Sequence, residues 1–523
     1  MKTGFDLLTL PKLLKTAARI YPNKVAVVDA ERGRGATYSE LSDRVIRLAN
    51  ALRALGVGKG DKVAYMCYDR IECVELIYAV NRIGAIWVPQ NYRFSPDELA
   101  RQMHHCDAET FFVDERCVET CRAALPQLEK VAAGRLVAIG CACAPEGFLD
   151  FETLIRQGSP EDFADEVSPD DICGLIYTSG TTGVAKGAMH SHRSFIGWAT
   201  IPVLQNVITA EDTMLNVYPM FHMGGTVLSV VCLIAGCTQI VLGTFDPEKW
   251  VSVISRHQVT VTCAVPTILN AVTRLPAGTL GKYDVASLKR LATSGAPFLT
   301  ETQEATMRLF PDVKLYSYYS ATEIFQSMLM PEDHPRKVRC VGPAAYGMEV
   351  RILDENFNDV PAGESGVIYA RGISAFVGYY NNPQAEADAI HDGWVTCGDI
   401  GLFDDEGYLY VVDRKKDIIN SGGEKIFSPE IEGRLLEISG LADVAVIGVP
   451  DEMWGERVHA VVSLVPGSTL SSEDILAWCK DNIAGFKKPR SVEVRKELPK
   501  SPVGKILKRE IRDEYWKNVA VKI

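Results

Sequence analysis

Short runs of consecutive apolar residues punctuate the chain at residues 63–66, 172–177 and 259–265. Each is bounded by polar or glycine-containing segments and is too short for a helix, so the pattern predicts buried strands. Between such runs lie amphipathic stretches with helical spacing, among them residues 38–55 and 247–257, the second opened by Asp246 as N-cap with Pro247 in the first turn. Strand and helix alternating in this way predict βαβ units and a layered α/β protein. A polar run, Asp413-Arg414-Lys415-Lys416-Asp417, then precedes a tail with strand patterns of its own at residues 444–449 and 458–464. A large N-terminal domain over 1–413, built of α/β subdomains, and a small α+β C-terminal domain over 414–523 are therefore expected.

Composition narrows the class. With 523 residues, 47% hydrophobic and 23% charged, the chain is globular rather than disordered. A net charge of −12 speaks against nucleic acid as partner, because that binding rests on neutralising phosphates. Thirteen Lys and Arg against six Asp and Glu over residues 480–523 make the end of the chain locally basic, either as a solvated helical tail or as a surface for an anionic ligand. The opening residues lack the basic and apolar blocks of a secretory signal, and the 14 cysteines include no C-x2-C pair for structural zinc. Reduced thiols and a cytoplasmic protein are expected. The strongest apolar stretch, residues 226–236, is too short for a bilayer, which takes about 20 residues.

The segment richest in chemistry is Tyr177-Thr178-Ser179-Gly180-Thr181-Thr182-Gly183-Val184-Ala185-Lys186-Gly187, directly after an apolar strand. Glycines let backbone N–H groups approach phosphate oxygens, hydroxyls add donors and the lysine adds charge. It is not a Walker loop, because Gly187 rather than Ser or Thr follows Lys186. Taken alone, the segment reads equally as an exposed flexible turn.

This loop resembles the signature phosphate loop of the adenylate-forming superfamily, and further segments resemble the family's other motifs in the family's order. These are Tyr319-Ser320-Ala321-Thr322-Glu323, Trp394-Val395-Thr396-Cys397-Gly398-Asp399, the hinge Asp413-Arg414-Lys415-Lys416-Asp417, Gly422-Gly423-Glu424-Lys425-Ile426, and Pro499-Lys500-Ser501-Pro502-Val503-Gly504-Lys505. The likeness runs from about residue 20 to the end and is strongest to the acyl-CoA synthetase branch. It implies an ATP-dependent acid–thiol ligase with ATP, Mg²⁺ and coenzyme A as its small molecules: a carboxylate attacks the α-phosphorus, pyrophosphate leaves, and the acyl group then passes to the CoA thiol. Catalysis of that kind is mostly positioning and charge stabilisation. The resemblance implies that Thr178, Ser179, Gly180, Thr181, Thr182, Gly183 and Lys186 hold the leaving phosphates, that Thr322 contacts the α-phosphate and that Glu323 holds Mg²⁺. Adenine is expected between Gly295-Ala296-Pro297 and Tyr319-Ser320, with Asp399 on the ribose hydroxyls and Arg414 beside it. Lys505 is expected to neutralise charge building between carboxylate and α-phosphate. Lys416 matches the hinge about which the small domain turns, and Gly422-Gly423 the loop lining the pantetheine tunnel. Ser320 stands where the family commonly has Gly, and Cys397 where it often has Thr.

The segment Pro219-Met220-Phe221-His222-Met223-Gly224-Gly225 resembles the one that gates the family's acyl site, which assigns His222 to substrate placement at the catalytic centre. Over the stretches matching the family's acyl pocket, residues 219–234, 261–269, 292–298 and 315–329, Glu323 is the only Asp, Glu, Lys or Arg. An unpaired buried charge is costly, so an apolar fatty, cyclic or aromatic acid is expected. Competing readings are an acyl-AMP ligase that loads a separate carrier protein and a non-catalytic nucleotide-binding relative; a homodimer is left open.

Overall fold

In the computed structural model the apolar runs become central strands of two large sheets. The structure describes residues 8–131, 134–164, 166–178, 185–276, 278–296, 298, 300–421, 424–451, 453–483, 485, 487–501 and 504–517. One sheet runs, in spatial order, Phe325–Leu329, Lys314–Ser320, Arg290–Thr293, Val261–Ala264, Thr213–Asn216, Thr238–Val241, Val25–Asp29 and Arg34–Thr37, parallel except at its two edges. The other runs Gly378–Tyr379, Lys186–Ser191, Ile172–Thr178, Ile86–Gln90, Lys62–Met66, Thr110–Asp114, Leu136–Ile139 and Leu149–Asp150. The expected strand at residues 259–265 is shorter at both ends: Val259 N closes the preceding helix onto Ile254 O, and Pro266 opens the next helix.

Helices Ile71–Arg82 and Met223–Ala235 belong to one core with both sheets. All twelve residues of Ile71–Arg82 are buried, which suits a helix enclosed on every side. Its buried acids are paired: Glu75 takes Nε of Arg44 at 2.6 Å and Glu72 takes Nε of Arg70 at 2.8 Å. Helix Tyr38–Ala54 starts at a capping box between Thr37 and Glu40, and helix Pro247–His257 at Asp246, whose carboxylate accepts from Lys249 N.

A third sheet of short antiparallel strands includes Asp399–Phe403 and Leu409–Arg414. Beyond it, strands Ile419–Ser421, Glu424–Ile426, Leu441–Asp451, Gly455–Leu464 and Ser491–Arg495 form a fourth sheet. With helices Ser428–Leu435 and Ser472–Asn482 it encloses a core of its own around Ile419, Ile431, Val446 and Ile475, as a large α/β part followed by a small one requires. All fourteen cysteines are free. Among the described residues no helix is long and apolar enough to cross a membrane.

Candidate active site

A cleft of 2560 Å³ lies between the ends of the parallel strands and the small C-terminal part. Ligand sites of open α/β sheets gather at strand C-termini, and here the strands ending at Ala264, Thr293 and Ser320 deliver their following turns to it. The Gly/Thr-rich segment is flanked in sequence by the antiparallel strands Ile172–Thr178 and Lys186–Ser191, with Thr178 opposite Lys186. Thr178 and Lys186 both line the cleft, while Ser179, Gly180, Thr181, Thr182 and Gly183 lie outside the described residues. Lys186 Nζ stands 4.9 Å over the ring of Tyr379. Lys416 faces the same space; burial and then the charge of Lys186 push its ammonium below the ordinary lysine range.

The turn after Thr293 holds Gly295 at φ +86°, a left-handed conformation that glycine adopts cheaply, and Gly295 and Ala296 border the cleft with Tyr319 and Ser320. Pro297 lies outside the described residues. After Tyr319 the ladder with Phe325–Leu329 shifts register, and Ala321 N closes onto Ile324 O at 2.8 Å, so Thr322 and Glu323 sit in a tight turn facing inward. Glu323 is 8% exposed; Oε1 accepts from the Tyr379 hydroxyl at 2.5 Å and Oε2 faces the Cys397 thiol at 3.9 Å. Burial, then Glu323 and Asp399, push that thiol well above its ordinary pKa, so Cys397 brings no competing charge. Among the described residues no three His, Cys, Asp or Glu gather as a metal site, so a hard cation at Glu323 would draw its other oxygens from ligand and water, as Mg²⁺ commonly does.

Asp399 and Arg414 face each other across the ladder of strands Asp399–Phe403 and Leu409–Arg414, with Nε 3.2 Å from Oδ1. The other carboxylate oxygen, Oδ2, accepts from the Tyr319 hydroxyl at 2.6 Å. Lys505 comes from the small part, on a loop closed by Ser501 N to Lys505 O at 2.6 Å and Lys505 N to Ser501 Oγ at 3.1 Å. Burial and then the Arg414 charge push the Lys505 ammonium down to about 8, with Asp399 and Asp417 opposing them. The loop abuts the large part: a Cβ on Gly504, at φ +79°, would stand 2.6 Å from Thr267 Oγ1.

The cleft continues past Tyr218, Phe221, His222 and Met223. His222 is the N-cap of helix Met223–Ala235, its Nδ1 accepting from Gly224 N at 3.2 Å, and burial pushes its imidazole down to about 4. A neutral ring fixed in this way can shape the site but carries no charge at neutral pH. The charged residues Glu98, Arg101 and Arg274 also line the cleft, from segments outside those matched by sequence, and all three are exposed. Gly422 and Gly423 lie outside the described residues; on either side of them Ser421 pairs with Glu424.

Several partners were not singled out from sequence: Tyr379, His190, and the tie that Ser428 makes to both Asp413 and Lys508. There Asp413 Oδ2 accepts from Ser428 N at 2.8 Å and Lys508 Nζ donates to Ser428 Oγ at 2.7 Å, which ties the polar run to helix Ser428–Leu435. The position of Tyr379 opposite Ala188, two residues on from Lys186, is set by a pairing between segments remote in sequence. Local pattern carries no trace of it.

Cations from Lys186, Arg414, Lys416 and Lys505 thus share one cleft with the carboxylates of Glu323 and Asp399, an arrangement made for a phosphorylated ligand bearing hydroxyl groups. The fold and this cleft define an AMP-binding class of enzyme. Residues 14–380 match the family described as AMP-binding enzyme and residues 430–505 its C-terminal domain, and the chain belongs to that family. It is 36% identical over 504 residues, 95% of this chain and 97% of the relative, to the feruloyl-CoA synthase of an Amycolatopsis species. It is 34% identical over 499 residues to the indoleacetate–CoA ligase of Aromatoleum aromaticum, covering 95% of this chain and 96% of that one. The ATP-bound crystal structure of MatB from Rhodopseudomonas palustris superposes with a TM-score of 0.84 at 27% identity, over 97% of this chain and 100% of that one.

Proposed function

We propose that this chain is an ATP-dependent carboxylate–CoA ligase of the cytoplasm, acting on an apolar cyclic, aromatic or fatty acid. The observation that carries the reading is the meeting of Lys505, from the small C-terminal part, with Tyr319, Thr322, Glu323, Asp399 and Arg414 of the large part in one cleft. Names of the relatives support the CoA ligase class and an aromatic acid, and fourteen unpaired thiols suit a reducing compartment.

Asp399, oriented by Tyr319 and Arg414, accepts the two ribose hydroxyls, and Tyr319 and Gly295-Ala296-Pro297 enclose the adenine. Lys186 and the hydroxyls of Thr178, Ser179, Thr181 and Thr182, with the backbone around Gly180 and Gly183, hold the β- and γ-phosphates. Thr322 holds the α-phosphate. Glu323 supplies a carboxylate to Mg²⁺, which when bound neutralises phosphate charge. Lys505 bridges the attacking carboxylate and the α-phosphate and offsets the charge that accumulates as the P–O bond forms and pyrophosphate leaves. His222 and Tyr218 bound the acyl group. For the second step the domain 414–523 turns on domain 1–413 about the Asp413–Asp417 hinge, removing Lys505 and bringing Gly422-Gly423 to the thiol's path.

The test is a panel of ferulate, indoleacetate, benzoate and fatty acids of rising length, assayed for AMP and acyl-CoA with and without CoA, wild type beside Lys505→Ala. Acyl-CoA from wild type, with adenylation lost in the variant, is the expected result. Acyl-AMP that never reaches CoA would move the reading to a carrier-loading ligase, and no AMP from any acid would leave a nucleotide-binding protein.

A further inference from the structure

The turn that bears Thr322 and Glu323 is short, and its inward carbonyls must find partners because buried backbone groups are costly when unpaired. Glu323 O accepts from Phe376 N at 2.8 Å. Thr322 O accepts from a side chain, His190 Nε2, at 2.9 Å. His190 belongs to strand Lys186–Ser191, four residues on from Lys186, and alternate residues of a strand share a face. Lys186, Ala188 and His190 therefore point the same way, with Ala188 paired to Tyr379 and His190 reaching Thr322. The strand that brings Lys186 to the cleft thus also grips the turn carrying the acidic residue.

The imidazole has little freedom. It is fully buried, its Nδ1 lies 3.3 Å from Ser194 Oγ, and Phe195 stands edge-on at 5.9 Å. A carbonyl can only accept, so the Nε2 position carries the proton and Nδ1 faces the hydroxyl as an acceptor. Burial pushes the ring down to about 4, which keeps it neutral and in this tautomer through the neutral range.

We propose that His190 is a positioning residue for adenylation, holding the Thr322–Glu323 turn in register with strand Lys186–Ser191 through its Nε2–H bond to the Thr322 carbonyl. His190 is not among the residues that line the cleft. It fixes the distance between two groups that grip opposite ends of the same triphosphate, where a displacement of about 1 Å costs on the order of 100-fold in rate. The kinetic consequence rests on the ligase reading above; the contact itself does not.

The test compares wild type with His190→Gln, His190→Asn and His190→Leu by two readouts. Glutamine places an N–H near the Nε2 position; asparagine reaches only the Ser194 side, and leucine offers no donor. Hydrogen exchange of the amides at residues 321–325 is expected to quicken about 10-fold in the Leu and Asn variants and to stay near wild type in the Gln variant. The rate of acyl-AMP formation is expected to fall about 10- to 100-fold in Leu and Asn at an unchanged KM for the acid, with Gln restoring most of it. Unchanged exchange at this turn in both the Leu and Asn variants overturns the inference, as does equal impairment of all three. Should Leu fail to fold, Asn against Gln decides. If wild type itself forms no acyl-AMP from any acid, the ligase reading fails while exchange still decides the role of His190.

Discussion

The Tyr379 hydroxyl donates to Glu323 Oε1 at 2.5 Å while its ring lies 4.9 Å beneath Lys186 Nζ. One side chain therefore braces both the proposed metal carboxylate and Lys186. Its two functions separate by substitution. Tyr379→Phe keeps the ring and removes the donor, so the Mg²⁺ concentration for half-maximal adenylation should rise about 10-fold with the KM for ATP unmoved. Tyr379→Leu removes both and should raise the two together. Titrating Mg²⁺ at fixed ATP, and ATP at saturating Mg²⁺, checks this; identical behaviour of Phe and Leu would refute the division.

Lys505 gives the reaction a pH limit. In the proposed first step its ammonium is the form that would offset charge on the α-phosphate, and burial with the Arg414 charge brings its pKa down to about 8. The protonated fraction falls as pH rises through that value, so kcat/KM for acyl-AMP formation should decline on the alkaline side with a midpoint near 8. Lys505→Arg, whose guanidinium does not deprotonate in this range, should be slower yet lose that limb. Stopped-assay pyrophosphate release between pH 6.5 and 9.5 is the measurement, and an alkaline limb that persists in the Arg variant would assign it elsewhere.

The sequence foretold what is local. Helix Pro247–His257 begins at Asp246 as its cap chemistry requires, and strand Ile172–Thr178 delivers Thr178 to the cleft at the end of its apolar run. The family likeness pointed to Tyr319, Asp399, Arg414 and Lys505, and the structure brings these four into one cleft. His190 and Tyr379 stayed hidden, because a buried histidine and a tyrosine before a polar turn look like core until tertiary pairing sets them against Thr322 and Glu323. His222 shows the reverse: the family likeness of its segment implied a gate, and the structure adds a capping bond that only backbone geometry reveals.

Stability should depend on Arg44, which does not line the cleft. Its guanidinium makes paired bonds to Glu75, at 2.6 and 3.1 Å, and to Glu152, at 3.1 and 2.8 Å; Glu75 is wholly buried. Arg44→Met leaves that carboxylate enclosed without its partner, a loss of about 3–5 kcal/mol. Burial already raises the pKa of Glu75, and without Arg44 it rises further. A raised carboxyl pKa makes the penalty small below the unfolded value and larger as pH climbs through the folded one, so the deficit should be smaller at pH 5 than at pH 8. Urea denaturation at both values, with Arg44→Met/Glu75→Gln expected to recover part of the loss, checks the assignment.

Docking of the Lys505 loop on the large part depends on the missing side chain at Gly504. A Cβ there would lie 2.6 Å from Thr267 Oγ1, and the backbone at φ +79° already disfavours any other residue. Gly504→Ala should therefore withdraw Lys505 from Asp399 and Arg414 while leaving the proposed rotated state, in which the loop would have left Thr267, open to CoA. Acyl-AMP formation is expected to fall about 100-fold, whereas transfer from supplied acyl-AMP to CoA should change less than about 3-fold. Thr267→Ala in the same chain removes the collision but not the backbone strain, so it should restore part of the first step. Measuring the two half-reactions separately decides the matter, since equal loss in both would mean that Gly504 serves the fold of the loop and not its docking.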